Sequence, residues 1–267
     1  MLTFPNAKIN IGLTIVEKRS DGYHNLETVF FPIGWKDALE VIPSEVSSLT
    51  LSGIPIQGDV NKNLVMKALQ LLKADFSIGE LAVYLQKNIP FGAGLGGGSA
   101  DGACMLRLLN DYFKLHLSDD QLAAYAVRLG ADCPFFIYNK PMFASGIGDR
   151  LEPVELSLRD YFIVVVKPDV AVSTADAYSM VVPRRPQQSL KELIQQPVER
   201  WRETIGNDFE TAVFAKYPAI AHLKAELYAQ GALYASMSGS GSAVYGIFPV
   251  AARPHFVFPD CMVWCDR

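Results

Sequence analysis

"PFGAGLGGGSADGA", Pro90 to Ala103, places five glycines within the seven residues Gly92–Gly98. It follows "ELAVYLQKNI" at 80–89, which alternates apolar and polar residues as a strand does, and it leads into a helical run from about Ser99 to Phe113. A strand, a glycine loop and a helix start make an anion cradle, because backbone N–H groups converge there and the helix dipole favours negative charge. Glycine lets a phosphate touch the main chain; the alternative is a tight turn in close packing. Two named phosphate motifs do not fit. The P-loop requires Lys and then Ser or Thr after its last glycine, whereas Gly98 is followed by Ser99 and Ala100. Gly92-x-Gly94-x-x-Gly97 matches the dinucleotide fingerprint, but the acid-ended strand due about 20 residues later is replaced by "SDDQL" at 118–122, a helix start.

The first 60 residues read as short strands broken by turns: "KINIGLTIVE", "DGYHNLETVFFPI", "DALEVIPS" and "SLTLSG". Asn63 then caps a helix, "LVMKALQLLKAD", whose Leu64, Val65, Ala68, Leu69 and Leu72 share one face. Ser118-Asp119-Asp120-Gln121 opens a third helix that ends near Gly130. "YFIVVVKP" at 161–168 is a strand, "VVPRRPQQS" a loop, and helical runs cover roughly 189–205 and 208–230. "SMSGSGSAVYGIF" at 236–248 is a second small-residue turn entering a strand. This pattern is α+β and divides near residues 150–160, giving domains 1–155 and 156–267.

Half of the 267 residues are hydrophobic and 19% are charged, enough for a real core and incompatible with disorder. A formal charge of −4 without a basic block argues against nucleic acid as the partner. The densest apolar run, "YFIVVV" at 161–166, is strand length, so no membrane span is expected. "MLTFPNAKIN" resembles neither a secretory signal nor a transit peptide, and a cytoplasmic location is the default expectation. Cys104, Cys133, Cys261 and Cys265 lack zinc-site spacing and read as free thiols, the first two in the core.

Pro90-Phe91-Gly92-Ala93-Gly94-Leu95-Gly96-Gly97-Gly98-Ser99 resembles the phosphate loop of the small-molecule kinase superfamily named for galactose, homoserine, mevalonate and phosphomevalonate. "PNAKINIGL" at 5–13 is similar to its N-terminal motif and "SMSGSGSAVYGIF" to its C-terminal glycine motif, so the likeness spans nearly the whole chain in the right order. "RSDGYHNLETVF" at 19–30, "GLGGGS" and "LGADCPFF" at 129–136 are similar to one branch, whose alcohol substrate bears a cytidine diphosphate. At Ala100 many members carry a second Ser, so one hydroxyl near the phosphates is lost. The resemblance implies a ribosomal-protein-like N-terminal α/β domain, a ferredoxin-like C-terminal domain, ATP and Mg²⁺, a small-molecule substrate in the cleft between the halves, and a monomer or weak homodimer. The rival readings are a homoserine, mevalonate or sugar kinase, which would not need the aromatic pair of Tyr23 and Tyr178, and a non-catalytic nucleotide-binding relative, which would lack Lys8 or Asp132.

Phosphoryl transfer to an alcohol needs the γ-phosphate held in line, its charge neutralised and the hydroxyl relieved of its proton. On bare sequence Asp132 is a turn or capping residue and Lys8 a solvent-facing charge; the resemblance makes Asp132 the general base and Lys8 its electrostatic partner. Asn10, two residues further along the same strand face, could bond the hydroxyl or orient Asp132. For the cytidine end the resemblance implicates Tyr23, His24, Thr174 and Tyr178. For ATP it implicates residues Pro90 to Ala100 together with Asn63 and Lys87 near the adenine, although Asn63 also reads as a helix cap and Lys87 as a strand-end charge. Ser99 could serve the phosphates or Mg²⁺, and Asp101 is either a first-turn dipole partner or an outer metal group. Asn207-Asp208 reads as a helix cap.

Overall fold

The computed structural model describes residues 1–55, 62–252 and 256–266. The chain opens with β1 (Leu2–Thr3), β2 (Asn6–Lys18), β3 (His24–Lys36), β4 (Ala38–Pro43) and β5 (Ser48–Gly53). There follow α1 (Leu64–Asp75), β6 (Leu81–Lys87), α2 (Gly97–Phe113), α3 (Asp119–Val127) and α4 (Cys133–Tyr138). Next come β7 (Met142–Ser145), β8 (Arg150–Pro153), β9 (Tyr161–Pro168), α5 (Thr174–Met180), α6 (Leu190–Leu193) and α7 (Val198–Thr204). The last elements are α8 (Glu210–Lys216), α9 (Pro218–Ala229), β10 (Tyr234–Met237), β11 (Val244–Pro249) and β12 (Cys261–Cys265). The fold is α+β in two units. Among the described residues no helix is long and apolar enough to cross a membrane.

One unit comprises residues 1–8, 32–91 and 96–140; the other comprises 9–31, 92–95 and 141–267. Where the sequence suggested one cut near residue 155, the contacts alternate between units five times along the chain. In the first unit a four-stranded sheet has the order β1-β4-β6-β5, with β4 antiparallel and β5 parallel to β6. Strand β6 shows why the alternation read correctly: Leu81, Val83 and Leu85 are buried, and the same inward stripe continues to Lys87. Helix α1 starts where Asn63 Oδ1 accepts from the Val65 amide at 3.0 Å, and buries Val65, Met66, Ala68, Leu69 and Leu72. Helix α3 carries the capping box expected of Ser118 and Gln121.

The second unit holds the antiparallel sheet β10-β11-β9-β12. Its core joins Val164, Val166, Val244 and Phe248 to Phe209, Val213, Ile220 and Leu227. The helical runs expected at 189–205 and 208–230 are each split, at Pro197 and Pro218, because proline lacks the N–H that would continue the helix and restrains its predecessor. Pro218 instead occupies the first turn of α9, where that N–H is not needed. The four cysteines are free thiols as expected; Cys133 is fully buried, whereas Cys104 is only partly so.

Candidate active site

The glycines between β6 and α2 divide by what a side chain would meet. Gly94 has φ +78°, and a Cβ there would run into the Ser238 carbonyl. Gly96 has φ +69°, and its Cβ would lie 2.7 Å from the Phe136 ring and 3.2 Å from Lys8 Cε. These two are glycine because the protein packs on its own backbone. Gly98 differs: its φ is not positive, and a Cβ would meet nothing within 4 Å. Neither strain nor packing explains glycine at that position, the second residue of α2. The first-turn N–H groups of α2 have no intrahelical acceptors by geometry, no side chain caps that end, and glycine at 98 leaves the space beside the turn open.

The same turn presents Ser99, whose Oγ donates to Asp132 Oδ1 at 2.8 Å. Asp132 stands at the N-cap position of α4, yet its side chain does not cap the helix. The capping alternative therefore fails, and the carboxylate points to Ser99. Lys8 is 5% exposed, not a solvent-facing charge. Burial pushes its pKa down to about 8, opposed by the Asp132 charge, so its ammonium senses that carboxylate. Ser99, Asp132 and Lys8 all lie in the first unit.

Lys87 is not an exposed strand-end charge: its ammonium is buried between Asp37 and Asp101, the latter at 2.6 Å. Burial raises the Asp101 carboxyl, and the carboxylate of Asp37 raises it further, against the pull of Lys87. Asp101 accordingly serves neither as a first-turn dipole partner nor as an outer metal group, since its side chain is turned into the core.

In the second unit, Asn10 Nδ2 donates to Thr28 Oγ1 at 2.9 Å, and Thr28 Oγ1 donates to the Gly12 carbonyl at 2.6 Å. The Asn10 amide donates to Ser238 Oγ at 3.1 Å, and that hydroxyl donates to the Gly94 carbonyl at 2.7 Å. The Ala243 amide donates to the Ala93 carbonyl at 3.1 Å, so the C-terminal glycine turn holds the middle of the phosphate loop by one backbone bond and the Ser238 hydroxyl. Two residues behind that turn carry more than a cap. Asn207 Nδ2 donates to the carbonyls of Met237 and Gly239, both at 2.8 Å, while its Oδ1 accepts from the Phe209 amide. Glu210 accepts from the Met237 amide at 2.8 Å and from Ser236 Oγ at 3.1 Å.

The aromatic residues are close in the same unit. His24 stacks on Tyr178, ring centroids 5.1 Å apart and planes 25° apart, and Tyr178 meets Phe209 edge-on at 4.8 Å. Burial lowers the His24 pKa, keeping the ring neutral at physiological pH, where one nitrogen accepts and the other donates. Tyr23 is 62% exposed beside it. Thr174 and Ser240 share a hydroxyl contact of 3.1 Å.

An anion cradle, a carboxylate held at its rim and an ammonium that senses the carboxylate define a small-molecule phosphotransferase. Residues 63–140 match the family described as GHMP kinases N terminal domain, and residues 189–255 match GHMP kinases C terminal. The 4-diphosphocytidyl-2-C-methyl-D-erythritol kinase of Parabacteroides distasonis is 55% identical over 266 residues, covering 99% of this chain and 98% of the relative. That of Bacteroides fragilis is 57% identical over 252 residues, covering 93% and 92%. A crystal structure of 4-(cytidine 5'-diphospho)-2C-methyl-D-erythritol kinase superposes with a TM-score of 0.79 at 34% identity, covering 92% of this chain and 90% of that one. The chain belongs to the GHMP kinases and, within them, to the family of the 4-diphosphocytidyl-2-C-methyl-D-erythritol kinases.

Proposed function

We propose that this kinase transfers the γ-phosphate of MgATP to the 2-hydroxyl of 4-diphosphocytidyl-2-C-methyl-D-erythritol, a step of non-mevalonate isoprenoid precursor synthesis. The observation that carries the reading is the carboxylate of Asp132, bonded to Ser99 Oγ on the first turn of α2 and sensed by the buried Lys8. Asp132 takes the hydroxyl proton as the oxygen attacks the γ-phosphorus and the bond to the β-phosphate bridging oxygen breaks, releasing ADP. Lys8 keeps Asp132 ionised and stabilises the forming alkoxide. The N–H groups of Gly97, Gly98 and Ser99 hold phosphate oxygens, and the backbone from Pro90 to Ala100 shapes the cradle.

Among the described residues no group of three His, Cys, Asp or Glu could hold a metal alone. Ser99 Oγ, on the first turn of α2, would be the protein oxygen nearest to a Mg²⁺ brought by the triphosphate, and the ion would supply neutralisation of charge on the transferred phosphate. Asn63, at the head of α1, offers its amide nitrogen to the adenine. Tyr23, His24, Thr174 and Tyr178 receive the cytidylyl end, by base stacking and by hydrogen bonds to the pyrimidine edge, and Asn10 orients the hydroxyl. Nucleotide substrates suit the cytoplasm, where we place the enzyme as a monomer or weak homodimer. The test is ATP-dependent phosphorylation of 4-diphosphocytidyl-2-C-methyl-D-erythritol, with mevalonate and homoserine as controls. Turnover of the cytidylyl substrate alone supports the assignment; turnover of a control alone would overturn the substrate.

A further inference from the structure

The reaction described above uses neither Asp37 nor Asp101, yet both carboxylates and Lys87 are buried together with side-chain exposures of 0%, 3% and 2%. Taking these ionisable groups out of water is costly, and apolar residues would fill the space at less cost. What the polar groups provide is direction. Asp37, in the turn between β3 and β4, accepts at Oδ1 from the amides of Asn88 and Ile89, at 2.6 and 2.8 Å, and at Oδ2 from Lys87. Lys87 donates in turn to Asp101 Oδ2, on the second turn of α2. Asn88 and Ile89 are the last residues before the phosphate loop, whose far end, Gly97 to Ala100, is already the first turn of α2 and runs directly into Asp101. A Cβ on Gly97 would lie 2.8 Å from Ile89 Cγ2 and 3.4 Å from Lys87 Nζ, so the two feet of the loop stand against one another over this cluster.

We propose that Asp37, Lys87 and Asp101 are positioning residues that fix both feet of the phosphate loop, and thereby aim the first-turn N–H groups of α2 at the triphosphate. The inference rests on reading residues 90–100 as the ATP phosphate loop. A loop free to move by an ångström loses about 10²-fold in rate, which is the kind of tolerance a directional buried network enforces.

The test compares three proteins by steady-state kinetics with ATP and 4-diphosphocytidyl-2-C-methyl-D-erythritol, alongside thermal melts. Wild type comes first: if it does not turn over this substrate pair, the proposed function fails, which separates that failure from any effect of the variants. Lys87→Met/Asp101→Leu removes the link to α2 and leaves Asp37 on its two amides but without its cation, so some loss of stability is expected beside the kinetic effect. The expected result is a cooperative melt, a KM for ATP raised at least about tenfold with reduced kcat, and an unchanged KM for the alcohol. Asp101→Asn, which keeps an oxygen for Lys87, is expected to fall between wild type and the double variant. If the double variant does not fold, Asp101→Leu alone takes its place with the same expectation. A folded variant with wild-type KM for ATP, or one in which both KM values rise together as the melting temperature falls, overturns the proposal.

Discussion

Ser99 Oγ donates to Asp132 Oδ1 across 2.8 Å, joining the first turn of α2 to the head of α4. The phosphate cradle and the base are thus registered to each other by one short contact. Asp132→Asn keeps the shape and removes the basicity, so kcat is expected to fall by about 10²–10⁴-fold while ATP still binds with wild-type affinity. Isothermal titration with ATP beside an activity assay decides it: loss of ATP binding in step with kcat would mean that Asp132 only supports the fold.

Burial lowers the Lys8 pKa from 10.5 to about 8. If the ammonium is the working form, kcat/KM for the alcohol in free enzyme falls as pH rises through about 8, and Lys8→Met, already slow, loses that alkaline limb. Stability moves the other way. A depressed folded-state pKa means that the charged form is disfavoured on folding, so this group's cost is full below about 8 and disappears as pH climbs toward 10.5. A pH–rate profile and urea midpoints at pH 7 and 9.5 read the two signs separately.

Glycines of the phosphate loop should separate by substitution. Gly98→Ala places a methyl in open space on a helix, so it should stabilise the protein by about 0.5–1 kcal/mol while raising the KM for ATP. Gly94→Ala, at φ +78° and against the Ser238 carbonyl, should instead lower the melting temperature. Melts and ATP kinetics on both variants check this; a Gly98→Ala enzyme with unchanged KM for ATP would remove the triphosphate from that turn.

Truncating Asn207 leaves two carbonyls and one amide without its side chain, all at buried positions. Asn207→Ala is expected to cost about 2–3 kcal/mol in a urea titration, far above a simple cap.

The ring of Tyr178 packs between His24 and Phe209. Tyr178→Ala should raise the KM for the cytidylyl alcohol about tenfold, the worth of one stacked base, and leave the KM for ATP unchanged. Competition by CMP in wild type and variant gives the same comparison without turnover.

Much of this was legible in the residues. The limits of β5 followed from its flanking turns, those of α1 from one apolar face and Asn63, and those of β9 from an apolar run of strand length, and the glycine loop with its strand and helix was read directly. The site's charges were harder, because pairing is long-range: Asp37 lies 50 residues from Lys87 and meets it only in the fold. A local signal did exist. The period-two stripe Leu81, Val83, Leu85 carries Lys87 inward, so a reading that trusted the alternation over the charge would have buried it. Thr28 and Glu210 had no such signal. Their roles come from partners 16 and 27 positions away, Gly12 and Met237, and nothing in "LETVF" or "DFETA" marks them. Short α4 has no counterpart in the sequence reading, although Pro134 suits the first turn of a helix.

The alternation of the chain between its two units also bears on how the protein is made. A nascent chain of 140 residues has every residue of one unit but only the segments 9–31 and 92–95 of the other. Ile9, Ile11, Leu13 and Ile15, all buried in the finished molecule, must then wait for the remaining 127 residues before their own unit can close. Contacts of such long sequence separation form late and slowly, and the waiting strands are sticky. Synthesis that stalls in the middle of this chain therefore releases an aggregation-prone fragment, not a half-enzyme.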